Sequence, residues 1–331
     1  MKITLFFILA LLVSAAGPVT FESAVAPFAA SSAESVRETR QRVEIVRTAY
    51  GVPHIRAEDL RAAGYGLAWV QSEDHGSRTG MRVLAASGRW ASVEGFERID
   101  SDFAIRREHI KNAGKYASLS QDVRDVYEGF AEGLNRYIEL NPQHFPAGMP
   151  TDLTGFDVLA TEFSQPSAQK IRNFINRLNN KDAPVVDDND AEGEGPDDGS
   201  NAWALAPNRT TSGKAILVRN PHLRWSAGYY EAHMTVPGVI DFYGDFRIGG
   251  PFGVIGGFNR DLGFSTTNNN QDLDEIYALD ADPEEPDSYL LDGKSVSVTQ
   301  HVIAVPFKNG DAIATEAREF WSTEFGPVIH R

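Results

Sequence analysis

An acidic segment in the middle of the sequence separates two stretches whose apolar residues follow different periods. Between Lys181 and Gly199 eight residues are Asp or Glu and one is Lys, with Gly and Pro interspersed. A segment with so few apolar side chains cannot contribute to a core. We therefore expect an exposed linker over residues 179–199, which proteolysis or self-cleavage could remove.

Before the linker, the apolar residues recur at helical spacing. The clearest stripe starts at Asp122, with Ser120 as its candidate cap and Pro142 beyond its end, and it consists of Val123, Val126, Phe130, Leu134 and Tyr137. A second stripe consists of Ile171, Phe174, Ile175 and Leu178. An early strand is predicted over Val43 to Thr48. The first stretch is thus predicted to be mainly helical.

After the linker, the pattern changes to short apolar runs bounded by turn residues, which is typical of strands. These runs are Ala202 to Ala206, Ala215 to Val218, Tyr229 to Val236, Val254 to Ile255, Leu262 to Thr267, Ile276 to Leu279 and Val296 to Val305. The second stretch is predicted to be mainly sheet, so the fold class is α+β.

The start of the chain has the features of a secretory signal peptide. Lys2 precedes an apolar run from Ile3 to Val13, and the small residues Ser14-Ala15-Ala16 follow. That run is too short to span a bilayer, so we expect residues 1–16 to direct export to the periplasm or the medium, without a membrane anchor. Residues 17–40 are rich in Ala, Ser and Glu without a period, which predicts a disordered leader.

Composition narrows the chemistry that this chain can perform. A hydrophobic fraction of 42% in 331 residues allows one large core or two modest ones. The net charge of -15 argues against a nucleic-acid partner, because phosphates need a basic surface. The chain has no cysteine, which excludes disulfides and a cysteine nucleophile, so catalytic groups must carry oxygen or nitrogen.

The Gly199-Ser200 bond lies where the acidic linker meets the first apolar run. If this bond is cut, Ser200 becomes an N-terminal residue with a free α-amino group, whose usual pKa is about 7.7 to 8. That amine could act as general base for the hydroxyl of the same residue. The alternative interpretation is that Gly-Ser simply ends a flexible linker.

Several ordered motifs resemble one known family. They are Val46-Arg47-Thr48-Ala49-Tyr50-Gly51-Val52-Pro53-His54-Ile55, Gly64-Tyr65-Gly66, Gln71-Ser72-Glu73-Asp74, Gly199-Ser200-Asn201-Ala202-Trp203 and Asn220-Pro221-His222-Leu223-Arg224-Trp225. From about Gln41 to its last residue, the chain resembles the N-terminal portion of a penicillin acylase family precursor. The resemblance implies part of the αββα sandwich of N-terminal-nucleophile hydrolases. It makes residues 41–178 an α-chain region and residues 200–331 the N-terminal part of a β chain, paired as a heterodimer.

The same resemblance implies roles for individual residues. Self-cleavage at Gly199-Ser200 would release Ser200 as the nucleophile. His222 falls where acyl-homoserine-lactone and cephalosporin-type acylases have a His that orients the amine, whereas penicillin G acylases have Gln. Asn268 matches the position that supplies a backbone N–H to the oxyanion. The alternative is that Asn268 is one polar residue of a turn. The family's second oxyanion donor, an Asn, falls beyond Arg331.

A calcium site is also implied by the resemblance, with Asp272, Asp274 and Glu275 as its ligands. Carboxylate oxygens suit calcium, which takes six to eight oxygen ligands. The glutamate that the family supplies from its α chain is replaced by Thr154 here. The alternative is a solvated acidic turn. No cofactor is expected to be required.

Two functions remain open at this point. The first is an exported amidase that hydrolyses the acyl amide of a small molecule, such as an acyl-homoserine lactone, a lipopeptide or a β-lactam. The second is a truncated or degenerate relative that binds acylated ligands without turnover. The first predicts two polypeptides on a denaturing gel, and the second predicts one.

Overall fold

The computed structural model describes residues 28–163, 168–185, 200–222, 228–251, 256–267 and 275–330. These residues form two compact units: the larger takes 28–275 and 304–316, and the smaller takes 276–303 and 317–330. The predicted signal peptide lies outside the described residues. The mixture of helix and sheet confirms the α+β class, and the α-helices of the described residues precede residue 180 as expected.

The helices of the larger unit are α1 (Ala33–Gln41), α2 (Leu60–His75), α3 (Ser77–Ala86), α4 (Ala91–Glu94), α5 (Ile99–Ala117), α6 (Gln121–Leu140), α7 (Gly155–Leu159) and α8 (Ala168–Asn179). Helix α6 confirms the helix predicted from the clearest stripe. The Ser120 hydroxyl caps this helix by accepting a hydrogen bond from the backbone N–H of Val123. Helix α8 confirms the second stripe.

Helix α1 differs from the expectation of a disordered leader over residues 17–40. The Ser32 hydroxyl caps this helix by accepting the backbone N–H of Ser35, and Glu34 lies in the first turn, where a negative charge is favourable. Thr39 is buried in the helix, and its hydroxyl donates to the carbonyl oxygen of Ser35. The caps and this burial order a segment whose composition alone indicates no structure.

Helices α2 and α6 approach each other so closely that glycine is required between them. A Cβ added to Gly129 would lie 1.9 Å from the carbonyl oxygen of Arg61, and one added to Gly133 would lie 2.4 Å from that of Tyr65. Both distances are below any van der Waals contact, so alanine would force the helices apart. The two helices form the centre of the core, with Leu67 and Phe130 fully buried.

The larger unit also contains a sheet of six strands in the order β1-β2-β5-β6-β7-β8. The strands are β1 (Val43–Arg47), β2 (Pro53–Ala57), β5 (Tyr229–Val236), β6 (Ile240–Arg247), β7 (Gly256–Phe258) and β8 (Gly263–Ser265). Strand β2 runs parallel to β5, with His54 opposite His233, and the other neighbours are antiparallel. One sheet therefore combines strands from both sides of the acidic linker.

Strands β3 (Ser200–Leu205) and β4 (Ile216–Pro221) form a separate antiparallel ribbon within the larger unit. The remaining strands are β9 (Asp280–Ala281), β10 (Ser288–Leu291), β11 (Lys294–Ser297), β12 (Thr299–Asn309), β13 (Ala312–Thr323) and β14 (Gly326–Pro327). The smaller unit holds the β11-β10-β9 sheet, in which neighbours are antiparallel.

Some strand predictions are confirmed and others are wrong. Tyr229–Val236 is a strand with the predicted bounds, and β3, β4 and β8 lie within two or three residues of theirs. The run from Ile276 to Leu279 is irregular, and the predicted strand over 296–305 is broken at Val298. Strands β6, β10 and β13 were not expected, because charged residues interrupt the apolar residues of β6 and β13, and β10 has only four residues. Val254 and Ile255 lie outside the described residues.

Among the helices that the structure describes, none combines the length and the apolar character needed to cross a bilayer.

Candidate active site

Ser200 is the first residue of the β3–β4 ribbon, and the pairing of the two strands sets what lies beside it. Ser200 is opposite Pro221, and Asn201 is opposite Asn220. His222 directly follows the last residue of β4 and therefore lies at the same end of the ribbon as Ser200. Two residues 22 positions apart in the sequence are brought together by an ordinary antiparallel register.

The imidazole of His222 is hydrogen-bonded to side-chain amides at this end of the ribbon. The Asn201 Nδ2 atom lies 2.9 Å from His222 Nε2, and the Asn220 Nδ2 atom lies 3.5 Å from the same nitrogen. The sequence motifs contain both asparagines, but neither was predicted to contact the histidine. Their contact depends on the register of the ribbon, which no local pattern reveals.

The two faces of the ribbon have different environments. Side chains alternate between faces along a strand, so the register places four large apolar residues on the face that also carries Asn201: Trp203, Leu205, Ile216 and Val218. All four are exposed, and Trp203 retains 52% of its accessible surface. The opposite face carries Arg219, which is mostly buried.

Arg219 attaches the ribbon to the six-stranded sheet. Its Nη2 donates to Asp245 Oδ2 of β6 at 2.6 Å, and its Nε lies 3.4 Å from Ser265 Oγ of β8. A Cβ on Gly256 would lie 2.5 Å from that Nε atom, so the sheet leaves room for the guanidinium only because position 256 is glycine. Two hydrogen bonds of one arginine thus join the ribbon to the six-stranded sheet.

Several predicted site residues lie outside the described residues. These are Gly199, Asn268, Asp272 and Asp274. Glu275 is described, and it is exposed in an irregular segment. The roles of Ser200, His222 and Asn268 stay predictions.

Thr154 does not fit the calcium role of the glutamate that it replaces. It caps α7: its hydroxyl donates to Asp157 Oδ2 at 2.8 Å, and the Asp157 backbone N–H donates back to that hydroxyl at 3.3 Å. Burial raises the pKa of Asp157 above its usual range, although its hydrogen bonds with Thr154 oppose the rise.

Within the described residues, no three His, Asp or Glu side chains form a group that could hold a metal ion. A calcium site that involves Asp272, Asp274 and Glu275 stays a prediction.

A second polar cluster lies on the six-stranded sheet. The Nδ1 atoms of His54 and His233 are 2.9 Å apart, and His233 Nε2 lies 2.7 Å from Asp241 Oδ1. The parallel pairing of β2 with β5 and the antiparallel pairing of β5 with β6 bring these residues together. The cluster thus joins one histidine from before the linker to two residues from after it.

Comparisons with known proteins agree with the motifs. The family model described as penicillin amidase matches residues 42–331. The chain is 29% identical over 317 residues to the acyl-homoserine lactone acylase PvdQ of Pseudomonas fluorescens (strain Pf0-1), covering 86% of this chain and 41% of that protein. It is 28% identical over 321 residues to the aculeacin-A acylase of Actinoplanes utahensis, covering 86% and 40%.

More distant matches include the penicillin G acylase of Escherichia coli, at 23% identity over 393 residues, covering 88% of this chain and 46% of that protein. A solved structure of a thermostable penicillin G acylase from Alcaligenes faecalis aligns with a TM-score of 0.33 at 24% identity, covering 42% of this chain and 85% of that one. The chain spans about two fifths of the length of the first curated relatives that it matches.

Proposed function

This chain belongs to the penicillin amidase family, and on that premise we propose that the complete protein is an exported amidase with Ser200 as its nucleophile. The observation that carries the proposal is the β3–β4 register, in which Ser200 begins a strand and His222 follows its partner Pro221. Because Ser200 is paired in a strand, its backbone has a fixed position, and covalent catalysis requires a nucleophile held in a fixed position relative to the substrate.

The first step is self-cleavage of the precursor. The Ser200 hydroxyl oxygen attacks the carbonyl carbon of Gly199, the peptide C–N bond breaks, and an ester forms while the proton moves to the released nitrogen. Water then hydrolyses the ester, which leaves a carboxylate on Gly199 and a free α-amine on Ser200. Because Gly199 has no side chain, the backbone can distort as this attack requires.

Turnover uses the same hydroxyl on an amide substrate. The α-amine takes the hydroxyl proton as Oγ attacks the acyl carbon, and the proton passes to the leaving nitrogen when the C–N bond breaks. Water then attacks the acyl-enzyme, the amine again takes a proton, and the acid leaves with Ser200 regenerated. Stabilisation of the oxyanion by the backbone N–H of Asn268 belongs to this proposal.

The substrate class follows from the names of the relatives. They are named for acyl-homoserine lactone, aculeacin A and penicillin G. We propose a small molecule whose acyl group is joined by an amide, with an acyl-homoserine lactone, a lipopeptide or a β-lactam as the classes to test. Export through residues 1–16 and a calcium ion on the predicted carboxylates remain part of the proposal.

After cleavage, the two polypeptides should stay together as a heterodimer. Gln71 of α2 is fully buried; its amide nitrogen lies 3.1 Å from the Arg247 carbonyl oxygen, and its amide oxygen accepts the Gly249 N–H at 2.8 Å. Strand β2 pairs with β5 across the same division. A shared sheet and core would not dissociate after a single backbone cut in the linker.

The test is the complete protein with Ser200→Ala and, as a matched control, Ser212→Ala in the exposed turn between β3 and β4. We expect the parent and the control to give two polypeptides on a denaturing gel. We expect the Ser200 variant to stay uncut and to lose hydrolysis of penicillin G and of a long-chain acyl-homoserine lactone by at least about 1,000-fold. Cleavage of the Ser200 variant at the same bond would exclude self-cleavage by Ser200. An uncut, inactive parent that still binds acyl amides would favour a non-catalytic relative.

A further inference from the structure

Two side-chain amides contact the imidazole of His222. Asn201 and Asn220 are register partners, so their side chains leave the same face of the ribbon, and His222 returns to that face because it lies two residues after Asn220. Both amide nitrogens approach the same imidazole atom, Nε2, at 2.9 and 3.5 Å. The shorter distance is typical of a hydrogen bond, and the longer one is at the limit.

These contacts favour one of the two neutral tautomers of the His222 imidazole. An amide nitrogen can only donate a hydrogen bond, whereas neutral imidazole has one donor and one acceptor nitrogen. Because Nε2 faces two amide nitrogens, it is placed to accept, and this arrangement favours a proton on Nδ1. From this geometry we infer that Asn201 is a positioning residue, which holds His222 as its neutral Nδ1–H tautomer at the Ser200 end of the ribbon.

The tautomer has a consequence for the reaction, and that consequence rests on the proposed function. An imidazole whose Nε2 lone pair is occupied by Asn201 cannot use that nitrogen to take a proton from substrate or water. In the proposed reaction, proton transfer is thus left to the Ser200 amine, and His222 has an orienting role only. Position 201 therefore requires a hydrogen-bond donor. Asp has the same shape as Asn, but an ionised carboxylate only accepts hydrogen bonds and cannot replace the amide here.

The test uses the complete protein labelled with 15N-histidine. Long-range proton–nitrogen correlation spectra distinguish the Nδ1–H and Nε2–H tautomers, and the signals of His222 are identified by their loss in His222→Gln. We expect the Nδ1–H pattern in the parent. In Asn201→Asp we expect a change to a form protonated on Nε2, because the carboxylate requires a donor. Spectra of uncut protein suffice, so the measurement does not depend on processing.

Kinetics give the second measurement, with penicillin G and a long-chain acyl-homoserine lactone as probes. In processed Asn201→Asp we expect kcat to fall at least about 10-fold, but less than the roughly 10,000-fold loss known when a wrong tautomer disables a serine–histidine pair. KM should stay within about 2-fold, because Asn201 is not proposed to touch substrate. Asn208→Asp, in the turn of the same ribbon, is the charge-matched control and should leave spectra and kcat unchanged.

An Nε2–H tautomer in the parent, or an unchanged tautomer in Asn201→Asp, would overturn the inference. A tautomer that changes as expected in a protein that hydrolyses neither probe would uphold the role of Asn201 in holding His222. That same result would contradict the proposed amidase activity, so the two failures are distinguishable.

Discussion

The α2–α6 layer and the β3–β4 ribbon use similar apolar residues in opposite ways. Phe130 and Leu67 of the layer are fully buried, whereas Trp203 and Leu205 of the ribbon are 52% and 42% exposed. The layer is held by close packing around glycines. The ribbon is held by its own backbone ladder and by polar contacts of Arg219. We therefore expect most of the stability to come from the α2–α6 layer, whereas the ribbon carries the candidate nucleophile.

Truncating one aromatic residue in each region measures how much each region contributes to stability. Phe130→Ala should lower the free energy of unfolding by about 3 to 5 kcal/mol, because it leaves a cavity in a packed core. Trp203→Ala should lower it by only about 1 to 2 kcal/mol, because about half of that side chain is already in water. Urea denaturation of this chain measures both.

Equal losses in the two variants would mean that the ribbon is packed as firmly as the layer. The effect of Trp203→Ala on the free energy of unfolding should also be measured in the complete protein. A loss above about 2 kcal/mol there would show that polypeptide outside the described residues buries this face of the ribbon.

The next largest effect is expected at the helix contact. Gly129→Ala should destabilise the chain by about 3 kcal/mol, because its Cβ would clash with the Arg61 carbonyl oxygen. Gly114→Ala on α5 is the matched control, since a Cβ there meets nothing within 4 Å. This control should stabilise the chain by about 0.5 to 1 kcal/mol, as alanine favours helix. Thermal unfolding measures both, and a destabilised control would show that the effect is not specific to the close contact.

Two buried groups on α5 should give opposite pH dependences. Burial raises the pKa of Asp102 to about 6, although the backbone N–H groups of Ala91 and Trp90 oppose the rise. Between about pH 4 and pH 6 the unfolded state ionises first at this residue, so its contribution to stability falls as the pH rises. Burial lowers the pKa of His109 to about 4. Below pH 6.5 the unfolded state binds a proton first at this histidine, so its contribution rises with pH.

Removing one group should expose the pH dependence of the other. In Asp102→Asn, the free energy of unfolding should rise more steeply between pH 4 and pH 6 than in the parent. The two changes from pH 4 to pH 6 should differ by on the order of 2 kcal/mol. In His109→Gln the free energy of unfolding should rise less steeply than in the parent over the same pH range, or fall. Urea denaturation at a series of pH values measures both slopes, and parallel curves for all three proteins would contradict the assignment.

The smallest effect is expected at the attachment of the ribbon. Arg219→Met removes the ion pair with Asp245, in which both side chains are partly exposed, and should cost about 1 kcal/mol. Hydrogen exchange of the β3 and β4 amides should accelerate more than exchange in α6. Arg209→Met, in the exposed turn of the ribbon, is the control and should leave both rates unchanged. Unchanged ribbon exchange in Arg219→Met would show that Arg219 does not hold the ribbon.

Local patterns predicted elements well where one face of an element is buried. The stripe of α6 and the alternation of β5 are of this kind, and both are confirmed. The run from Ile276 to Leu279 has strand-like composition but forms no strand. Strand β6 was missed because Asp241, Gly244 and Asp245 interrupt its apolar residues, although pairing with β5 and β7 stabilises it. In such segments the partners of a strand matter more than its own residues.

The candidate site was predicted only in part for the same reason. The motifs singled out Ser200 and His222, and the pairing of Ser200 with Pro221 brings their positions together. Asn201, which contacts the imidazole, was not predicted, and neither was the attachment by Arg219. Side-chain contacts between strands depend on register, which the composition of either strand alone does not specify.

The family, the acidic linker and the amphipathic helices could be predicted from the sequence, because each depends on residues close together along the chain. The tertiary structure was needed to show that β2 pairs in parallel with β5, so that both sides of the linker share one sheet. It likewise decided the need for glycine at position 129 and the hydrogen bond between Asn201 and His222. The physical reason is that strand pairing and close helix contact are set by shape and hydrogen-bonding partners far apart in the sequence, whereas periodicity is local.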